Sequence, residues 1–310
     1  MIATRKQNVF KRARQSLFSK KNGSDGFEKH YTIGELICKG TQGHVYKAHR
    51  RVVDGDGSSG QQLAVKIVKR KGLSEEDEKQ IYREVEIMKE LSDFKYTNKV
   101  VDFFASTKKF YIVQNLALGG DVLDWVASHG SYDEDDAKEF ATKLLQSIHG
   151  FHSRGIVHRD LKVENILLSD KLNTSIQIAD WGHADRIGDD NGSLTEQRGT
   201  PIYMAPEMVT GEIYDEMVDN WSVGCILYWI LSKRHAFRGK DTKEIYANIQ
   251  RGTFEFRGMV WKTISDEAKE CIRGLLTVDP KQRWTAQQAL ESSWIRGAQV
   301  QRASSLLVPQ

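Results

Sequence analysis

Apolar and polar positions alternate with a period of two from Tyr31 to Cys38 and again from His44 to Arg50, which predicts two strands joined by a glycine turn. Gln62–Lys69 reads as a third strand, and Val100–Ala105 and Phe110–Leu116 as two more. Between the third and fourth strands, Ile81, Val85, Met88 and Leu91 recur at helical spacing. Ser74 stands ahead of them with Asp77 three residues on, a weak capping box. After Gly119-Gly120 the period lengthens. Ala137, Phe140, Leu144, Leu145, Ile148 and Phe151 mark a helix, and Ile166–Leu168 and Ile176–Ala179 are short strands. Trp221 to Leu231 is apolar nearly all round, which predicts a helix buried in the centre of its lobe. Further helices are expected near Thr242–Arg251, Ser265–Leu276 and Thr285–Ser292. The pattern divides the chain into a small, mostly β part with one helix and a larger, mainly helical part. It shows no internal repeat.

Composition narrows the class. At 310 residues, 39% apolar and 28% charged, the chain can bury a substantial core. A net charge of only +3 gives no reason to expect a nucleic-acid partner. The charge is uneven, however. Arg5, Lys6, Lys11, Arg12, Arg14, Lys20, Lys21 and Lys29 face only Asp25 and Glu28, so residues 1–30 carry +6 and the remainder −3. This arm reads as basic and mobile. Val9, Phe10, Leu17 and Phe18 within it suit a membrane-surface or partner-binding helix as well as a solvated tail. Ordered structure is expected from Tyr31. Cys38, Cys225 and Cys271 are odd in number and far apart, which points to a reducing compartment. The strongest apolar run, Val223 to Leu231, is far short of the roughly 18 residues a membrane span needs. A cytoplasmic location is expected, with the nucleus the alternative, and the chain is expected to act as a monomer. The loop from Val53 to Gly60 begins like a calcium loop, but Ser59 and Val65 stand where glycine and glutamate are required.

The chemistry is concentrated in His158-Arg159-Asp160-Leu161-Lys162-Val163-Glu164-Asn165. Asp160 offers a carboxylate for a hydroxyl proton, Lys162 an ammonium for charge on a moving phosphoryl group, and Asn165 an amide oxygen for a divalent metal. Upstream, Cys38-Lys39-Gly40-Thr41-Gln42-Gly43-His44-Val45 lies between two predicted strands, where glycines let backbone close over phosphates. Leu63-Ala64-Val65-Lys66 follows on the next strand, and Glu84 on the helix after it can pair with Lys66. Downstream, Asp180-Trp181-Gly182 lies just after a strand, across an expected hairpin from Asn165.

Together these motifs resemble the eukaryotic protein kinases over residues 31–296. The resemblance implies an α+β, bilobal protein-kinase fold: an antiparallel β lobe over about 31–116, a hinge near 115–119, a helical lobe over about 120–296, and a tail over 297–310. It implies ATP and Mg2+ as cofactors and protein substrates as partners. By residue, it implies that Lys66 holds the α- and β-phosphates with Glu84 as its anchor, that Asp160 is the catalytic base, and that Lys162 offsets charge on the γ-phosphate. Asn165 and Asp180 would bind magnesium. Gly40 and Gly43 would close over the nucleotide, Val45, Ala64 and Leu167 would sandwich the adenine, and Asn115 and Ala117 lie on the segment facing its edge, beside Gln114 as gatekeeper. Gly199-Thr200-Pro201 and Ala205-Pro206-Glu207 resemble the substrate platform, with Glu207 paired to Arg283, and Asp219 would brace the catalytic loop. Lys162 and Thr200 suit the serine/threonine form. Trp261 to Lys269, with Leu275-Leu276 and Asp279-Pro280, looks most like the calcium/calmodulin-dependent kinase group. A nucleotide-binding pseudokinase scaffold is the alternative function, and a small-molecule kinase of the same fold is a further rival.

The chain departs from the pattern in three places. Cys38 replaces the first glycine of the phosphate loop and Gln42 its usual tip aromatic, which should loosen the fit over the nucleotide. Trp181 replaces phenylalanine and should pack on His158 and resist flipping. Arg159 marks a kinase whose activation loop is usually phosphorylated, yet the expected position holds Glu196, beside Thr195. A carboxylate there can partly replace a phosphate. Asp121 and Glu164 match acidic positions that select basic residues upstream of the acceptor, so a preference for Arg or Lys near position −3 is expected. Arg302-Ala303-Ser304-Ser305 makes Ser305 a candidate autophosphorylation site.

Overall fold

The structure, a computed structural model, describes residues 26–40, 42–51, 62–170, 175–188 and 194–297. The basic arm up to Asp25, the loop at 52–61 and the Arg302–Ser305 match lie outside the described residues. The chain forms two compact units.

The first unit runs to Asp93 and resumes over Asn98–Leu116. Its antiparallel sheet comprises β1 (Tyr31–Lys39), β2 (His44–Arg50), β3 (Gln62–Lys69), β4 (Val100–Ala105) and β5 (Lys109–Asn115), in the order β1-β2-β3-β5-β4. β3 is central and buried from Leu63 to Val68, as expected of a strand covered on both faces. On one face Leu63, Val65, Ile67, Phe104, Tyr111 and Val113 form a core with Phe27 and Tyr31. On the other, the Glu75–Glu90 helix packs through Tyr82 against Phe103 and Phe110, with ring centroids 5.6 Å apart in each case. Both halves of the Ser74–Asp77 capping box are made.

Ordered structure extends ahead of Tyr31, contrary to expectation. A helix over Gly26–His30 precedes β1, and Phe27 is buried between Tyr111 (4.4 Å) and Tyr31 (5.5 Å). The end of the basic arm is therefore part of the core, because an aromatic ring gains more by leaving water than five residues lose by being fixed on an existing sheet.

The second unit comprises Phe94–Thr97 and the chain from Ala117 onward. Helices span Val122–His129, Glu134–His152, Pro206–Thr210, Met217–Ser232, Thr242–Arg251, Asp266–Leu275 and Ala286–Leu290. Every residue from Met217 to Leu231 is buried, so this helix is the centre around which the unit packs. Gly224 lets it approach its neighbour: a Cβ there would lie 2.8 Å from Leu276. Two small antiparallel ladders position the chemistry: β6 (Ile156–Val157) with β9 (Asp185–Arg186), and β7 (Ile166–Leu168) with β8 (Ile176–Ile178). Among the described residues no helix is long and apolar enough to cross a membrane.

Candidate active site

The loop that carries Asp160 leaves β6 at His158 and is pinned by one carboxylate. Asp219, wholly buried near the start of the central helix, accepts hydrogen bonds from the backbone N–H groups of His158 (2.8 Å) and Arg159 (2.9 Å) and from His152 Nε2 (3.0 Å). Burial pushes the Asp219 carboxyl up, but these donors and the neighbouring histidines outweigh it and hold it below its ordinary value. The pinning keeps Arg159 in the left-handed region, φ 67°. His158 Nε2 bonds to the Ala179 carbonyl (3.1 Å), and its ring lies 4.8 Å from that of Trp181. Trp181 is fully buried and also meets Phe151 at 5.2 Å.

Asp160 sits in a polar cage. Its Oδ1 accepts the Thr200 N–H and hydroxyl, both at 2.9 Å, and its Oδ2 accepts Lys162 Nζ at 2.8 Å. Lys162 also donates to Thr200 Oγ1 (3.0 Å). The approach of the 199–200 segment depends on Gly199: it has φ 115°, and a Cβ there would meet the Arg159 carbonyl at 2.6 Å. Asn165 Nδ2 donates to the Asp160 carbonyl (2.8 Å), which leaves the amide oxygen as the atom with ligating chemistry.

Asn165 and Asp180 flank the β7–β8 hairpin, and the Ala179 N–H donates to the Asn165 carbonyl (2.9 Å). Asp180 is itself left-handed, φ 59°. Among the described residues no cluster of three or more His, Cys, Asp or Glu can hold a metal. One carboxylate and one amide oxygen fit a hard, strongly hydrated cation that takes its remaining ligands from phosphate and water, which is the habit of Mg2+.

In the first unit, Lys66 Nζ lies 2.8 Å from Glu84 Oε1, and both residues are buried. Gln42 adds a contact that the sequence did not reveal: its Oε1 accepts from Lys66 at 3.3 Å. Gly40 N–H closes on the Gly43 carbonyl (2.9 Å), and at Gly43 a Cβ would strike the Ile67 carbonyl at 2.6 Å. Val45 pairs with Lys66 and with Cys38, which is exposed and in no disulfide; Ala64 is buried opposite Gln114. The Asn115 N–H is given to the Lys99 carbonyl (3.1 Å). Ala117 and Leu167 belong to the second unit, where Leu167 bridges to Asp121.

Arg283 and Glu207 form a buried bidentate pair at 2.7 and 2.9 Å, which anchors the Pro206–Thr210 helix. Arg159 is also a hub. Its Nε donates to the His183 carbonyl (2.6 Å), Nη2 lies 3.1 Å from Asp185 Oδ2, and Nη1 lies 3.7 Å from Glu196 Oε2. Arg198 meets Glu196 at 2.5 Å, and the Tyr214 hydroxyl donates to the Glu196 carbonyl (2.8 Å). Thr195 is exposed. Asp185 escaped the sequence reading; its only signal was an acidic side chain three residues after Asp180-Trp181-Gly182.

The Val122–His129 helix, which Asp121 caps, packs on the Val163–Asn165 turn that carries Glu164. Glu164 is exposed. Asp121 caps that helix by accepting the Asp124 N–H (2.8 Å), and burial raises its carboxyl above the ordinary value.

A family profile for the protein kinase domain matches residues 31–295. The calcium/calmodulin-dependent protein kinase cmkA of Emericella nidulans is 34% identical over 91% of this chain and 67% of its own. Calcium-dependent protein kinase 5 of Plasmodium falciparum is 35% identical over 88% of this chain and 46% of its own. Calcium/calmodulin-dependent protein kinase type II of Caenorhabditis elegans is 34% identical over 88% of this chain, but the match covers only 37% of that protein. The matched region thus spans between about two thirds and about one third of these relatives. With a five-stranded antiparallel sheet, a helical second unit and the site geometry above, the chain belongs to the protein kinase family, in the serine/threonine calcium/calmodulin-dependent group.

Proposed function

We propose that this chain transfers the γ-phosphate of ATP, with magnesium, to serine or threonine hydroxyls of protein substrates that carry Arg or Lys near position −3. When bound, ATP supplies the phosphoryl group and magnesium offsets charge on its phosphates. Asn165 and Asp180 would hold the metal, and Lys66, fixed by Glu84, the α- and β-phosphates. Asp160 would orient the acceptor hydroxyl and take its proton. Lys162, 2.8 Å from Asp160, would meet the negative charge that develops beside it. In the first unit Gly40, Gly43, Val45, Ala64 and Asn115, with Cys38, and in the second Ala117 and Leu167, are the residues that the family resemblance assigns to the nucleotide. Glu164 and Asp121 would receive the basic residue, since a guanidinium between two carboxylates forms charge-assisted hydrogen bonds. Three cysteines outside any disulfide support a reducing compartment, cytoplasm or nucleus.

The observation that carries this reading is the Asp160 carboxylate held by Thr200 and Lys162 on a loop pinned by Asp219. Radiolabelled phosphate transfer to a randomised peptide library tests it. Arg at −3 should be selected, and Asp160→Asn should lower kcat by about 10²–10⁴. Nucleotide binding without transfer would support the scaffold reading instead, and selection of acidic or proline-directed peptides would remove the role of Asp121 and Glu164.

A further inference from the structure

Arg159 is almost fully buried; its side chain is 1% exposed. A buried guanidinium needs a counter-charge. In a kinase with arginine at this position that charge is commonly a phosphate on the activation segment. Here two carboxylates are already in place. Asp185 is delivered by the β6–β9 ladder, where it sits opposite Val157, two residues before Arg159. Its side chain is only 11% exposed and lies 3.1 Å from Nη2. Glu196, at 3.7 Å and 57% exposed, is the weaker partner and is shared with Arg198. Two guanidinium groups and two carboxylates leave the cluster neutral. A phosphate on the exposed Thr195 would add about −1.5 to −2 beside guanidinium groups whose charge these carboxylates already offset, so it would gain less there than beside an uncompensated Arg159.

We infer that Asp185 is a positioning residue which, with Glu196, holds Arg159 and thereby sets the catalytic loop without phosphate on the activation segment. This deepens the kinase reading and rests on it. The route to the chemistry is short. The backbone of Arg159 is held in its left-handed conformation by Asp219, and the next residue is Asp160. A guanidinium released from Asp185 would seek water and draw that strained residue with it. Asp185 outranks Glu196 because a desolvated pair is screened less than an exposed one.

The test uses the full chain, assayed on a basic serine peptide before and after treatment with a phosphatase that is then removed. Activity should stay within about twofold after treatment, and Thr195→Ala should behave likewise. Asp185→Asn should lower kcat by about tenfold or more while the KM for ATP moves less than about threefold, and Asp185→Glu should restore part of the loss. Glu196→Gln should cost only about two- to fivefold. Thermal melts establish that each variant is folded, and the phosphatase arm needs no variant at all. Loss of activity on dephosphorylation would overturn the proposal, as would full kcat in Asp185→Asn. Inactivity before and after treatment would instead sink the kinase reading, and the proposal with it.

Discussion

Asp219 fixes two consecutive backbone N–H groups of the catalytic loop, and its lowered pKa makes that service dependent on pH. Its folded value lies below the ordinary carboxyl value of 3.8, so the unfolded chain binds the proton more tightly. The stability it contributes is therefore full above about pH 4 and is lost as the pH falls toward and through the lowered value. Urea unfolding of wild type and Asp219→Asn should show a constant stability gap at neutral pH that narrows only below pH 4; a gap that narrowed between pH 5 and 7 would contradict this. At the same scale the legibility of the sequence is uneven. Asp160, Lys162, Asn165, Lys66 and Glu84 stand out as candidates because a motif fixes each one's spacing. The Asp185–Arg159 and Gln42–Lys66 contacts left no such signal, because a side chain 26 or 24 positions from its partner makes no period in the chain.

At the scale of elements, strands and helices with strong periodicity were readable nearly to the residue, as for β3 and Thr242–Arg251. The Val122–His129 helix was not foreseen: eight residues hold barely two turns, and its start is set by a single Asp121 cap. Pro206–Thr210 is shorter still, and tertiary contacts through Glu207 hold it in place. The central helix was foreseen as buried, but the pattern could not say how closely its neighbour comes. That closeness gives a prediction. Gly224→Ala would push a methyl into Leu275 and Leu276, which would outweigh its better helix propensity and destabilise the protein by about 1–3 kcal/mol. A chemical denaturation midpoint at or above wild type would refute it.

At the scale of the whole molecule, division into a β-rich and a helical unit was legible from the change of period after Gly119-Gly120. The burial of Phe27 was not, because it sits in a basic context that reads as solvated chain and is recruited by aromatic partners 4 and 84 positions away. The buried ring has a practical consequence for where this protein can be cut. The family match opens at Tyr31, and a recombinant protein begun there would lack Phe27 and the Gly26–His30 turn. Tyr111 and Tyr31 would then face water or an unfilled slot. Compared with a version begun at Gly26, it should be less stable by about 3–5 kcal/mol, the usual loss for emptying a buried phenylalanine site. Paired thermal melts of the two would decide it, and equal Tm values would mean that the ring only decorates the sheet. The boundary that defines the family by descent therefore leaves out a ring that completes the core of the first unit.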